Sequence, residues 1–367
     1  SRGLGDVYKR QAKGWQSALK KAHHTSGQKS VITCGCRGKG EKRLYVRALP
    51  NGDAFILVKA ANTGIEHDPS CVFFSLDARH TGLKGYASGV VRITTEGDMA
   101  VRLGIGMTEK DPPEKSEVPP LPHVQRPEGG QASMTLLGLL SLLWTESGLN
   151  VWYPKMAGKR NDSLVRYRLL ETAKQIRTGR ACIGDHLFIG VPDPKQPVAQ
   201  SQIQRLSSQA MSDKRLMLLS VLPRYDAEKH EKPLKFLPLR NFGGLPLIFF
   251  NSEVHWDSVK KRFSSEYAAW KSGAKIVVFA LTSPAAVTGR GPSVRAHQIV
   301  LMHVSENWIP LDSSYEAVVA EKLDAEHRQY VKPMRYDASI SEVFPDFYLL
   351  DTKSDKPFPM EVFGMAT

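Results

Sequence analysis

The sequence predicts a multidomain α+β protein. Its 367 residues exceed the roughly 100–200 that one domain usually contains. Hydrophobic residues make up 41% and charged residues 24%, which indicates packed cores rather than a disordered or fibrous chain. Short apolar segments with strand-like alternation occur beside segments with helical spacing, and a proline-rich stretch divides them. We therefore expect domains of mixed helix and sheet joined by a linker.

The chain is strongly basic. It has 50 Lys and Arg against 37 Asp and Glu, a formal net charge of +13. This balance favours a polyanionic partner, most often nucleic acid and less often an anionic membrane surface. The longest apolar run, 134–144, is about half the ~20 residues that a membrane span needs. With no signal-peptide pattern at the start, we expect a cytoplasmic protein that does not enter a membrane.

The two ends of the chain are treated separately. Residues 1–11 contain the run Asp-Val-Tyr-Lys-Arg-Gln, which resembles the translation of a sequencing-library adapter, and we exclude them from fold reasoning. A short basic arm is the alternative. At the other end the chain stops at Thr367, where a strand would lead into a following helix. The C-terminal domain is therefore expected to be truncated.

The first predicted domain, residues 12–106, is rich in β-structure. Two hairpins are predicted, joining 43–49 to 54–59 and 90–95 to 99–104. In the first, apolar and polar residues alternate around Asn51-Gly52, a pair that favours the positive φ angles of a tight turn. These hairpins provide a framework on which a small metal site can be built.

A cluster of metal-ligand residues surrounds the first hairpin. Cys34 and Cys36 precede it, and His67 and Cys71 follow it. Zn²⁺ binds a Cys₃His set well, and four protein ligands leave no open coordination position, so the predicted site is structural rather than catalytic. The alternative is a group of unrelated reduced cysteines with a surface histidine. The remaining Cys182 has no partner in this pattern and is predicted to be a small buried residue.

The rest of the chain divides by composition. The predicted units are a linker at 107–133, a helical unit at 134–210, a mixed α/β domain at 211–308 and a C-terminal domain at 309–367. The linker has six prolines and many charges, so it cannot bury enough apolar surface to order itself. Helices are predicted over 134–147 and 163–177, the second capped by Asp162 or Ser163.

Basic residues lie in and around the second of these helices. A helix pair with a short connection and a basic flank is typical of a helix-turn-helix-like DNA-binding unit. The candidate nucleic-acid contacts are Lys155, Lys159, Arg160 and Arg166. The alternative is a solvated basic face on an ordinary helical core, and the sequence favours neither.

The C-terminal region combines a helix, a strand, a strand that bears Pro345-Asp346 and a last strand, 360–364, that bears Glu361. This layout resembles the restriction-endonuclease-like α/β/α fold, whose motif is Pro-Asp followed by (Asp/Glu)-x-Lys. The resemblance implies that Asp346 and Glu361 bind one Mg²⁺ and that Glu316, on the helix, assists. The metal would neutralise the scissile phosphate and lower the pKa of an attacking water.

One position departs from that motif, because Phe363 stands where the Lys is expected. Either the Lys lies on a helix beyond Thr367, as the resemblance implies for some subgroups, or the domain is an inactive relative. Lys332 or Arg335 could face the phosphate, with a solvated charge at a strand end as the alternative. The same acidic pattern also fits a sheet with a Pro-Asp turn and an edge Glu that has no catalytic role.

A second resemblance covers nearly the whole chain and rests on seven short motifs taken together. They are Cys34-Gly35-Cys36, Thr63-Gly64, His67-Asp68-Pro69-Ser70-Cys71, Met156-Ala157-Gly158-Lys159-Arg160-Asn161, Arg215-Leu216-Met217-Leu218, Glu306-Asn307-Trp308-Ile309-Pro310 and Lys332-Pro333-Met334-Arg335-Tyr336. In combination they resemble the bacterial family catalogued as domain of unknown function 1173. The resemblance implies a role in DNA transactions of plasmids and integrative conjugative elements, without identifying a reaction.

The function expected from these observations is that of a DNA-binding protein of a bacterial mobile element. Its C-terminal domain would be a Mg²⁺-dependent nuclease, active or degenerate, and its zinc would be structural. The alternative is a non-catalytic, zinc-containing protein that binds nucleic acid or another partner. A structural adaptor whose basic face meets an acidic protein is a third hypothesis, against which salt-dependent retention on DNA would argue.

Overall fold

The structure is a computed structural model of the 367-residue chain. It describes residues 13–24, 32–48, 55–60, 63–68, 71, 73–74, 90–93, 98–109, 133–209, 212–250, 255–289, 291–334, 345–353 and 357–363. Helices and strands both occur throughout these ranges, so the predicted mixed α+β architecture is confirmed. None of the helices in these ranges has the length and apolar character that crossing a bilayer requires.

The helices and strands are numbered in chain order. Helices α1 to α9 are Lys13–His24, Leu136–Glu146, Asp162–Ala173, Ile183–His186, Pro197–Gln209, Ala227–His230, Trp256–Arg262, Ser264–Lys271 and Ser314–Ala325. Strands β1 to β9 are Ile32–Thr33, Arg43–Ala48, Phe55–Lys59, Val91–Ile93, Met99–Val101, Val151–Trp152, Ile176–Thr178, Ala181–Cys182 and Leu187–Ile189. Strands β10 to β17 are Leu216–Val221, Leu247–Phe249, Lys275–Thr282, Ala286–Thr288, Gly291–Val304, Tyr330–Val331, Phe347–Leu349 and Phe358–Met360.

The largest core lies on a mixed sheet with the strand order β11-β14-β12-β10-β9, in which β13 also pairs with β14. Strand β12 is antiparallel to both of its neighbours, whereas β9 and β11 are parallel to β10 and β14. The central strands read as continuous apolar runs because both of their faces are covered. Helices α2 and α8 pack against β12 and β14.

A smaller antiparallel sheet, β1-β2-β3, forms the N-terminal part. The first predicted hairpin is confirmed, with Leu44 opposite Lys59 and Ala48 opposite Phe55. Its predicted turn at Asn51-Gly52 lies outside the described residues. Helix α1 packs on this hairpin, and the side-chain amide of Gln16 both donates to and accepts from the backbone of Phe55.

Two further sheets join segments that the sequence assigned to different domains. The predicted hairpin at 90–104 appears as β4–β5, and β5 then pairs in parallel with β7, with Met99 opposite Ile176. Strand β6 pairs with β15, with Trp152 opposite Tyr330, and so extends the C-terminal sheet. Most of the predicted linker, 110–132, lies outside the described residues.

The helical unit differs from the predicted one in its connection and its cap. Helix α2 is capped by Thr135 and helix α3 by Asn161, each through a side-chain oxygen that accepts from a backbone N–H. The predicted caps of α3, Asp162 and Ser163, therefore lie one and two residues too late. Strand β6 and a 3₁₀ turn at Pro154–Met156 separate α2 from α3, in place of the short turn of a helix-turn-helix unit.

Arg160 fixes the junction between the middle and C-terminal regions. Its side chain is 7% exposed, and its guanidinium donates to the backbone carbonyls of Leu149, Val151 and Asn307. It also lies over the ring of Trp152, 5.3 Å from the centroid. Burial, with the charge of Arg168 nearby, lowers the pKa of Arg160 to about 10, which leaves it charged at neutral pH. The prediction that Arg160 contacts nucleic acid required an exposed side chain, and the structure places it inside.

Replacing Arg160 with alanine is expected to destabilise the protein strongly. The change leaves buried carbonyls without a donor and removes the contact with Trp152, so the free energy of unfolding should fall by about 3 to 5 kcal/mol. Chemical denaturation followed by circular dichroism measures this change. The neighbouring and exposed Lys159→Ala is the matched control and should change the free energy of unfolding by less than about 0.5 kcal/mol. Equal effects of the two substitutions would contradict the structural role of Arg160.

Candidate functional site

The Cys-Gly-Cys loop follows β1, and the N-terminal sheet brings it against the segment that leaves β3. The loop is closed by its own backbone and by one lysine. Cys34 donates its N–H to the carbonyl of Lys42 at 2.8 Å. The Lys42 ammonium donates to the carbonyls of Cys36 and Gly38 at 2.6 and 2.8 Å. These bonds fix the two cysteines at one end of the β1–β2 pair.

Two glycines allow this loop to approach the segment that carries His67. A Cβ at Gly38 would lie 2.1 Å from the carbonyl oxygen of Glu66, a distance that no side chain tolerates. Gly40 has a φ of +107°, which other residues rarely adopt. A 3₁₀ turn at Gly64–Glu66 then directs His67 towards the cysteines. The backbone of the Cys-Gly-Cys loop therefore packs directly on the backbone of the segment that carries His67.

The four predicted zinc ligands converge. The ligand atoms of Cys34, Cys36, His67 and Cys71 all lie within 4.8 Å of one another. The Cys34 and Cys71 Sγ atoms are 3.7 Å apart, and His67 Nδ1 is 3.6 Å from the Sγ atoms of Cys36 and Cys71. A tetrahedral zinc with Zn–S of about 2.3 Å and Zn–N of about 2.0–2.1 Å requires separations of about 3.8 Å for S···S and about 3.6 Å for S···N. These three distances match those of a zinc tetrahedron, and the other three are no longer than 4.8 Å.

Burial and nearby hydrogen-bond donors set the protonation of the four ligand side chains. Burial raises the pKa of Cys71 and of Cys34, so without a cation these thiols stay protonated. Burial acts in the same direction on Cys36, but N–H donors from Asp68 and Gly38 outweigh it and lower the pKa of that thiol. Burial, with Lys59 and Lys42 nearby, lowers the pKa of His67 to about 4, so the imidazole is neutral, as a metal ligand must be.

The Cys₃His set therefore fits Zn²⁺ by donor type, charge and spacing. Backbone N–H groups of Asp68 and Phe73 point at the Cys36 and Cys71 sulfurs at 3.4 and 3.5 Å, which orients the ligands. Four protein ligands complete the tetrahedron, so a bound zinc would contribute folding stability and no open position for a substrate. Cys182 is buried elsewhere, with Ala173 and Lys174 carbonyls near its thiol.

The acidic residues predicted at the C-terminus converge on a lysine. Lys332, immediately after β15, is buried, and its ammonium lies 2.7 Å from Glu316 Oε2 and 2.9 Å from Asp312 Oδ2. Asp346 Oδ1 is 3.8 Å away. Burial raises the pKa of Glu316 to about 7, against the opposing charge of Lys332. Burial acts to lower the pKa of Lys332, but Asp312 and Glu316 outweigh it and raise that pKa.

Glu361 is not among the carboxylates that contact Lys332. Its side chain is exposed, while Asp346 Oδ2 accepts the N–H of Val362 at 2.8 Å. Among the residues that the structure describes, the Cys₃His set is the only close group of three or more such ligands. The predicted carboxylates therefore do not form a close three-ligand set among the described residues, and the Lys332 ammonium lies beside Glu316 and Asp346. Asp312 was missed by the sequence analysis, although its place four residues before Glu316 was a usable signal.

The remaining predicted contacts differ in accessibility. Lys155 and Lys159 are exposed on and beside the 3₁₀ turn that precedes α3. Arg166 is half-buried on α3, and this burial lowers its pKa. Arg335 lies outside the described residues. The two lysines are thus the basic side chains of the predicted set that are open to a partner.

Comparison with known proteins identifies one match. The model of a family described as Protein of unknown function (DUF1173) matches residues 4–366. The match confirms the resemblance predicted from the seven motifs, and it begins inside the segment 1–11 that was expected to derive from an adapter. The chain matches no curated protein and no solved structure.

The metal site predicts one zinc per chain. The purified protein should contain about one equivalent of zinc by elemental analysis, and Cys71→Ser should lose most of it, because three ligands bind far more weakly than four. Cys182→Ala is the matched control, since this buried cysteine lies outside the cluster, and it should keep its zinc. Full zinc content in the Cys71 variant, or none in the wild type, would contradict the assignment.

Proposed function

The chain belongs to the DUF1173 family of proteins of unknown function, and from its own residues we propose that it is a DNA-binding protein of a bacterial mobile element. In this proposal the N-terminal zinc is structural, and the protein acts in the cytoplasm, where thiols stay reduced and available to a metal. The role in a mobile element comes from the family resemblance, whereas the DNA-binding role comes from charge and from the positions of basic side chains.

The observation that carries the proposal is the net charge of +13. Such an excess attracts the phosphate backbone of DNA, and each phosphate contact gains free energy by releasing a condensed counterion. A Cys₃His centre whose ligands are all protein atoms supports a binding module, because it leaves no position for a substrate on the metal. The two features together favour binding over zinc-dependent catalysis.

The exposed Lys155 and Lys159 are the first residues assigned to this function. They lie on and next to a 3₁₀ turn whose neighbour Arg160 is fixed by three backbone carbonyls. A backbone fixed in this way loses little further conformational entropy when the two ammonium groups meet phosphate. Arg166, half-buried on α3, would contribute charge rather than direct contact.

A second candidate function is Mg²⁺-dependent hydrolysis of phosphodiester bonds at the C-terminal cluster. The observation that favours it is the convergence of Glu316 and Asp346 on a buried Lys332. Two carboxylates and a lysine are the residue types of the nuclease motif, with Lys332 in the role of the missing Lys. Glu316 and Asp346 would hold the metal, which supplies charge neutralisation at the phosphate and activation of water. Lys332 would move from the carboxylates to the phosphate.

The binding proposal predicts salt-dependent affinity for DNA. Fluorescence anisotropy with a labelled duplex should give a dissociation constant that rises steeply with salt. The double substitution Lys155→Ala/Lys159→Ala should weaken binding and reduce the slope of log K against log salt by about 1 per lost contact. Lys322→Ala, an exposed lysine paired with Glu326 on α9, is the control and should leave the slope unchanged. Absence of salt-dependent binding by the wild type would overturn the proposal.

The hydrolysis candidate predicts cleavage that needs both the metal and Asp346. Wild-type protein should nick circular DNA in Mg²⁺ or Mn²⁺, and Asp346→Asn should lower the rate by at least about 100-fold while DNA binding stays intact. Glu321→Gln, an exposed acid on the same helix as Glu316, should cleave normally. Binding without cleavage by the wild type would reject this candidate and leave the DNA-binding proposal standing.

A further inference from the structure

Aromatic side chains are exposed at the β11 edge of the central sheet. The segment around Phe236 pairs with β11, since Leu237 N–H donates to the Ile248 carbonyl and Phe250 N–H to the Lys235 carbonyl. Phe236 lies opposite Phe249 in this pairing. Because side chains alternate along a strand, Phe236, Leu247 and Phe249 share one face. Leu237 and Ile248 point to the other face and are buried in the core.

Strand β14 extends this exposed face. Its parallel register places Ser293 beside Leu247 and Arg295 beside Phe249. Arg295 is exposed, and it has no carboxylate partner within the parts of the chain that the structure describes. We call the surface formed by Phe236, Leu247, Phe249, Ser293 and Arg295 the Phe236 face.

The apolar side chains of the Phe236 face are open to solvent. Phe236 is 51%, Leu247 44% and Phe249 38% exposed. The two phenylalanine rings meet edge to face, with centroids 6.4 Å apart and an interplanar angle of 82°. Single exposed apolar residues are ordinary, but a contiguous group of this kind marks a binding surface. The perpendicular rings leave aromatic surface accessible to a planar ligand.

The charged residues around these rings indicate that the ligand is negatively charged. The two stretches of sequence that build the Phe236 face, 232–252 and 267–305, contain no Asp or Glu. They do contain basic residues, of which Arg295 lies beside Phe249 on this face. Glu109, from a different segment, bonds to His297 of β14, whereas Arg295 is exposed to solvent. A surface that combines exposed aromatic rings with an exposed guanidinium is complementary to a ligand with planar groups on a negative backbone.

We propose that the Phe236 face binds single-stranded DNA. Bases would stack on Phe236 and Phe249, while Arg295 contacts the phosphates. The strand must be single, because the faces of bases in a duplex are already covered by their neighbours. The inference rests on the proposed DNA-binding function and adds its substrate class. A second copy of the chain is a poorer occupant, since it would bring two positive surfaces together.

The test compares a variant of this face with a matched control. Phe236→Ala/Phe249→Ala should bind a labelled oligothymidine about 10- to 100-fold more weakly than the wild type, with affinity for duplex DNA almost unchanged. Phe358→Ala is the control, because Phe358 is similarly exposed, at 55%, on the C-terminal sheet, and it should bind normally. Phe236→Tyr/Phe249→Tyr keeps both rings and should retain binding, which separates lost stacking from misfolding.

Each of the other outcomes identifies which proposal fails. Unchanged oligothymidine binding by the alanine variant, beside a wild type that binds DNA, overturns the Phe236 face and leaves the DNA-binding function standing. Failure of the wild type to bind either form of DNA overturns both. Tighter binding of oligouridine than of oligothymidine would make the ligand RNA and overturn the choice of DNA. A smaller particle mass for the alanine variant by light scattering would make the face an interface between copies and overturn the inference.

Discussion

The hydrogen bonds that strand β12 makes on both of its edges support the rest of the structure. Each residue from Lys275 to Leu281 pairs with β14, and the later part of the strand also pairs with β10. Its side chains are buried almost without interruption. In such a position the backbone has no access to water, so every N–H and C=O must find a partner in the sheet. Helices and peripheral sheets are added to this centre, and their attachment is more polar than the centre itself.

The polar attachments are concentrated where the middle and C-terminal regions meet. Arg160 bonds to carbonyls on both sides of this junction, and Asn150 exchanges backbone and side-chain bonds with Lys332. The indole N–H of Trp144 reaches the carbonyl of Trp308. Buried polar groups of this kind are satisfied by only one arrangement of their neighbours, so they fix orientation where apolar packing alone would permit sliding.

The features that sequence predicted well are local ones. The hairpin of β2 and β3 and the Cys₃His ligands depend on turns and spacings that a short window contains. The pairings of β6 with β15 and of β5 with β7 involve strands of two or three residues, too short to show a periodicity. Arg160 appeared as one basic residue among several, because composition does not distinguish an exposed guanidinium from a buried one. Glu316 and Asp346 were selected by type, but the lysine between them changes what they can bind.

The Cys₃His cluster and the C-terminal cluster around Lys332 differ in where their positive charge comes from. In the Cys₃His cluster the chain supplies four donor atoms for a cation, and burial raises the pKa of the Cys71 thiol. In the C-terminal cluster the chain supplies its own cation, Lys332, to Asp312 and Glu316. The first arrangement depends on the metal available to the protein, whereas the second is balanced internally. Ligand spacing in the sequence was enough to group the four residues of the first centre, whereas the contact of Lys332 with Asp312 and Glu316 depends on the tertiary fold.

The pairing of β6 with β15 has a consequence for the modularity of the protein. The C-terminal sheet takes one of its strands from residues 151–152, far upstream of the boundary that composition placed near 309. A cut of the chain at that boundary would separate β15 from β6 and expose an unpaired strand edge, a surface that promotes aggregation. The segment from β6 to β17 is therefore one structural unit, even though its sequence reads as several domains.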